Sequence, residues 1–167
     1  MSDTERPTCF DALTFGGQFL LWAIRLWAHQ SAANPGSVST VRKAFELADL
    51  REAYADFDAF LTMLSHASDD GIDIRPRRNM TMSADEARLL GVIATLQRGD
   101  MPTADRMLRA HVRPSGARLA LDAGMRLAEA MRDVRMTVAP RDPLSNRAAA
   151  AGEAPSVARA PTSATLH

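Results

Sequence analysis

The amino-acid sequence predicts an all-α protein: a compact bundle of five or six helices around a central apolar helix at about residues 15–29. Three observations carry that expectation. Wound at about 100° per residue, Phe15–His29 is apolar around most of its circumference, and such a helix belongs inside a bundle or against a membrane. Later stretches between residues 41 and 134 repeat apolar side chains at three- and four-residue spacing. Strand-like alternation is confined to Gly71–Met82, and no segment recurs at a fixed period.

The elements follow in chain order. Residues 1–12 are polar, with Pro7 as a breaker, and read as a flexible lead-in. Thr14 is placed to cap the first helix. Gly16 and Gly17 either weaken its first turn, by up to about 1 kcal/mol each relative to alanine, or let another backbone approach closely. Burial of Phe19, Leu20, Leu21, Ile24 and Trp27 would contribute roughly 1.5–3 kcal/mol per side chain. Replacing Trp22 or Trp27 with alanine is expected to cost roughly 3–5 kcal/mol wherever the ring is fully buried.

Asn34-Pro35-Gly36 stops that helix, and Ser37–Thr40 offer caps for a second one through Val41, Phe45 and Leu47, ending near Asp49. On Arg51–His66, Tyr54, Phe57, Phe60, Leu61 and Leu64 fall within an arc of about 120°, one core face of a third helix. Ser68-Asp69-Asp70-Gly71 ends it. Ile72 and Ile74, then Met80 and Met82, alternate with polar residues on either side of Pro76, which fits a short hairpin or an ordered loop over 72–82. This stretch also makes a basic knot, Arg75-Pro76-Arg77-Arg78, beside the acidic pair Asp69-Asp70.

Ser83-Ala84-Asp85-Glu86 is a capping box, the clearest local signal in the chain. It opens a fourth helix with Leu89, Leu90, Ile93 and Leu96 on its apolar face and Gly99 at its end. Asp100-Met101-Pro102 opens a fifth, striped by Met101, Ala104, Leu108 and Val112. A sixth runs from Ala117 to about Val134, with Arg118, Asp122, Arg126 and Glu129 along one side. From about 137 to 167 the chain turns Ala/Pro/Ser/Thr-rich, a composition that predicts a disordered tail. The expected division is therefore lead-in 1–12, helical domain 13–136 and tail 137–167, and removal of residues 141–167 is expected to leave the thermal midpoint nearly unchanged.

Composition narrows the function classes. Twenty basic residues balance twenty acidic ones, so no overall field draws the protein to nucleic acid or an anionic membrane. Only Lys43 among the basic residues is lysine and alanine is abundant, which points to a GC-rich bacterial genome. Cys9, the single cysteine, excludes intramolecular disulfides and cysteine-rich zinc sites. The N-terminus lacks a secretory pattern, so the expected compartment is the cytoplasm. No membrane span is expected, because the apolar run is shorter than the usual 20 or so residues and holds Arg25.

No catalytic, cofactor or metal motif stands out. His29, His66, His111 and His167 show no i,i+4 pairing. Aligning Gly71 with the sixth position of a calcium loop puts His66 first and Arg77 twelfth, where acids are needed. Neither a nucleophile elbow nor a phosphate-cradling loop is present. Gln18, Arg25 and His29 share the one polar line of the first helix. They face solvent or a neighbouring helix's carboxylate, or else they form a small polar or partner site in which Arg25 pairs an anionic group. His111, at the edge of an apolar stripe, reads as a boundary histidine.

The methionines at 63, 80, 82, 101, 107, 125, 131 and 136 offer adaptable apolar surface of the kind found in binding grooves. The expected function is accordingly a non-catalytic interaction or regulatory module, its partner another protein or a second copy of itself. The alternative is DNA binding: residues 84–131 resemble a helix-turn-helix in outline, with Ser115–Ala128 as recognition helix and Arg109, Arg113 and Arg118 as DNA contacts. Against it, the exposed line of that helix alternates in sign, as an ion-pair ladder does, and pairs Arg118 with Asp122.

Overall fold

The computed structural model of the chain describes residues 9–29 and 36–139. It contains six α-helices: α1 Phe15–Ala28, α2 Gly36–Leu47, α3 Ala53–Ala67, α4 Ala84–Gln97, α5 Met101–Arg109 and α6 Pro114–Asp133. Among the described residues there is no strand, and an antiparallel bridge pairs Cys9 with Thr81. The fold is an all-α bundle. The readings made for 1–8, for the Asn34-Pro35 break and for the tail from 140 onward lie outside the described residues.

Local sequence explains the helix starts. The Thr14 hydroxyl accepts a hydrogen bond from the Gly17 amide, and the Asp100 carboxylate accepts one from Thr103. Ser83 and Glu86 close both halves of the capping box at the head of α4. α6 begins at Pro114, three residues ahead of its expected start at Ala117, because proline's missing N–H and fixed φ suit the first turn of a helix.

The most extensive interface joins α3 to α6, and α4 packs against α6 next to it. α6 allows this by burying small residues, among them Gly116, Ala117, Ala120, Ala123, Gly124 and Ala128. At Gly124 an added Cβ would stand 3.2 Å from the Phe60 ring, so the glycine lets α3 come close. α1 packs on α2 and α4, to one side of this pair. It buries Leu20, Leu21, Ala23, Ile24 and Leu26, whereas Phe15 is 66% exposed. Trp22 and Trp27 are half-buried, and the Trp27 indole N–H donates to Asp58 at 2.8 Å. Neither ring is the fully buried anchor to which a 3–5 kcal/mol loss applies. The aromatic centre lies instead where Phe45 meets Phe19 at 5.2 Å and Phe57 at 5.0 Å between ring centroids, tying α1, α2 and α3 together.

The packed domain reaches beyond both ends expected of it. Phe10 donates its amide to the Met80 carbonyl at 2.8 Å, which docks the end of the lead-in on the 72–82 loop. After α6, Arg135 takes a positive φ of 60° and turns the chain back. Val138 is then buried, its amide donating to Gln97 Oε1 at 2.8 Å, and the Thr14 hydroxyl donates to the Thr137 carbonyl at 2.6 Å. Residues 137–139 therefore belong to the helical domain and not to the tail. Gly16 makes room for them: a Cβ there would lie 2.5 Å from the Thr137 carbonyl oxygen.

Candidate functional site

Two features of the fold bear on function, a buried ion pair and a cleft. The ion pair grows from the capping box. Glu86 sits at the third position of α4, where its carboxylate accepts the Ser83 amide at 2.9 Å. The same carboxylate receives Arg25 of α1 in bidentate fashion, Nε to Oε1 at 2.7 Å and Nη2 to Oε2 at 2.9 Å. Both side chains are buried, at 1% and 0% exposure. Arg25 also donates to the carbonyls of Asn79 and Thr81, while Glu86 accepts the Arg75 amide at 3.0 Å. No buried side-chain nitrogen or oxygen among the described residues lacks a partner.

Arg25 thus meets a neighbouring helix's carboxylate within the fold. Gln18 donates to the Phe10 carbonyl at 3.3 Å, and His29 Nε2 lies 3.1 Å from the Arg75 carbonyl oxygen. The three residues of the polar line do not converge on one cavity. Each holds backbone of the lead-in or of the 72–82 loop against α1. Ile72 and Ile74 are half-buried while Asp73 and Arg75 are exposed, so the expected alternation holds before Pro76; after it Met80 is exposed and Asn79 and Thr81 are half-buried, because their backbone is held against α1 and the segment is an ordered loop.

The cleft, ≈ 430 Å³, opens between α3, the start of α4, α5 and the turn that follows it. Leu64, Leu89, Val92, Leu108 and Val112 line it, and Met107 lies close to α4, its Cε 3.2 Å from where a Gly91 Cβ would stand. Its three lining arginines are each paired, Arg88 with Asp85, Arg109 with Asp105 at 2.7 Å and Arg113 with Asp69 at 3.5 Å, while Asp70 at its rim makes no ion pair with any described residue. Arg113 also donates to the His66 carbonyl at 2.6 Å. The site is not legible as a unit in the sequence, since three separate helices contribute to it. Met107 and His111 at the edge of the α5 stripe, the Asp69-Asp70 pair, and Arg109 and Arg113 among the expected DNA contacts are the residues the sequence marks that the fold brings to it.

His111 lines the same cleft, and partial desolvation against the cleft wall together with the Arg88 guanidinium pushes its pKa below the ordinary 6.5. The unfolded chain therefore binds this proton more readily than the folded one. His111 costs the fold nothing above the unfolded-state pKa and destabilises it as pH falls through that value toward the lower, folded-state pKa. In a proton NMR titration its midpoint should lie below that of a model histidine, and Arg88→Ala should move it upward. A midpoint unaffected by Arg88→Ala would remove the guanidinium as a cause.

Of the residues expected to touch DNA, Arg109 and Arg113 lie at the cleft, each holding a carboxylate. Arg118 is exposed on α6 and makes no ion pair with any described residue, so the expected Arg118–Asp122 pair is not formed. An acid four residues after the base is the less favourable order on a helix. The ladder is broken further by Arg126, which reaches across to Asp56 of α3 at 2.6 Å. Among the described residues no group of three histidine, cysteine or acidic side chains is placed to hold a metal, and no helix is long and apolar enough to cross a membrane. No protein-family model, curated protein or solved structure matches the chain.

Proposed function

We propose that the protein is a non-catalytic interaction module that seats an apolar side chain of a partner protein in the cleft between α3, α4 and α5. The observation that carries this reading is the cleft's makeup: aliphatic side chains and a flexible methionine line it beside a polar rim whose three arginines are already paired with carboxylates. Such a site rewards burial of one or two large apolar groups, roughly 1.5–3 kcal/mol each, and leaves the partner's flanking polar groups in water. Its one serine hydroxyl, Ser68, donates to the Gly71 carbonyl at 2.9 Å and not to a base. The arginine-rich, lysine-poor composition and the lone Cys9 fit a bacterial cytoplasm as its setting.

The test is selection of a random peptide library on the intact protein, followed by methyl NMR of the complex. Enriched peptides should share one bulky apolar residue and shift the signals of Met107, Leu89 and Leu108. Failure to enrich any sequence, or shifts confined to another face, would overturn the reading. So would submicromolar, salt-sensitive binding to duplex DNA that Arg113→Ala, Arg118→Ala abolishes, which would support the helix-turn-helix alternative.

A further inference from the structure

We propose that the turn Pro76–Asn79 is a second contact surface, distinct from the cleft, at which Arg77 and Arg78 recognise an acidic segment of a protein partner. The turn is closed by a hydrogen bond from the Asn79 amide to the Pro76 carbonyl at 2.9 Å, which puts the two arginines at its central positions. Both are exposed, and neither makes an ion pair or hydrogen bond with any described residue. Most other described arginines reach a carboxylate, including Arg75 just before the turn, 3.6 Å from Asp73. Arg77 and Arg78 are left as two adjacent guanidinium forks pointing at no acid of their own.

The backbone on both sides of this turn is fixed from beneath. Glu86 accepts the Arg75 amide, and His29 meets the Arg75 carbonyl. Arg25 donates to the Asn79 and Thr81 carbonyls, while the Asn79 side chain accepts from both the amide and the hydroxyl of Thr81. Phe10 holds the Met80 carbonyl. The buried ion pair, whose own charges are satisfied internally, therefore acts as a rigid base that presents the arginine tip. A partner would meet a preformed turn and lose little backbone freedom in ordering it.

Charge selects the partner's chemistry. Guanidinium forks pair with carboxylates in bidentate fashion. Asp73 in the same loop and Asp69 and Asp70 just before it are exposed, and the chain as a whole is balanced at twenty charges of each sign. A duplex or an anionic bilayer would extend beyond the turn toward those carboxylates, whose repulsion is felt over a screening length of about 8–10 Å. A short acidic peptide need cover only the turn. Met80, 51% exposed two residues beyond Arg78, adds an apolar contact that a protein segment can use.

The experiment is fluorescence anisotropy with the full chain and a short labelled peptide of glutamates around one leucine, compared with a random-sequence duplex and with phosphatidylserine-containing vesicles. The peptide should bind in a salt-dependent way, and Arg77→Ala, Arg78→Ala should weaken it at least about tenfold. Arg106→Ala, Arg118→Ala, which removes two exposed arginines elsewhere, should leave it unchanged. Met107 methyl shifts should stay silent, which separates this surface from the cleft. The proposal is overturned if the intact protein does not bind the peptide or if both double variants bind it alike. It is overturned equally if the duplex or the vesicles bind more tightly and lose that binding in Arg77→Ala, Arg78→Ala.

Discussion

Arg25→Met is expected to lower the unfolding free energy by about 3–5 kcal/mol, because it leaves the Glu86 carboxylate buried without its counter-charge. Glu86→Leu should do the same from the other side. In many proteins replacing both members of a buried pair with apolar residues restores most of the loss. Here it should not. Arg25 and Glu86 also serve the carbonyls of Asn79 and Thr81 and the amides of Arg75 and Ser83. A double variant, Arg25→Met, Glu86→Leu, strands all four, at about 1–3 kcal/mol for each that stays buried and unsatisfied. The measurement is urea denaturation of the three variants, with hydrogen exchange read at the Arg75 and Thr81 amides. Exchange there should accelerate more than in α3 or α6, since the loop loosens before the bundle does. A double variant as stable as the parent would show that the pair is a dispensable charge and not the anchor of the loop.

That anchor also marks where the sequence stops being legible. Ser83 and Glu86 could be paired on paper because a capping box is local, and the starts at Thr14 and Asp100 were readable for the same reason. Glu86's second role was not readable, since Arg25 lies 61 residues away and only the approach of α1 to α4 brings the two together. The apolar run of α1 suggested a central helix. Large side chains announce burial in a sequence, whereas the closest packing, along α3 and α6, depends on the absence of side chains at Gly116 and Gly124. Composition alone places residues 137–139 in the tail. A single apolar residue, Val138, together with backbone hydrogen bonds to Thr14 and Gln97, is enough to dock them, and backbone bonding leaves no compositional trace. The cleft had no signature of its own, because each contributing helix shows it only the end or edge of an otherwise ordinary apolar stripe.

Gly116→Ala should destabilise the protein by about 2–3 kcal/mol, the upper part of the range for overpacking, although alanine is the better helix former. A Cβ at position 116 would overlap the Cβ of Ala67, and the Ala67 Cα and Met63 carbonyl stand only 3.6 Å away. None of these atoms is the free end of a flexible side chain, so a helix has to move. Movement is resisted at the same point. The Arg113 amide donates to the Ala67 carbonyl at 3.1 Å, and the Arg113 side chain holds the His66 carbonyl, so the start of α6 is fastened to the end of α3. Relief should come from the opposite helix: Ala67→Gly removes the methyl that Gly116→Ala would strike. The double variant Ala67→Gly, Gly116→Ala should return to within about 1 kcal/mol of the parent, the residue being the propensity lost at the end of α3 set against that gained in α6. Thermal and urea unfolding of the two single variants and the pair would measure the coupling directly. If Gly116→Ala proves as stable as the parent, or if Ala67→Gly fails to rescue it, the close approach of α3 and α6 is not what limits residue size at this position.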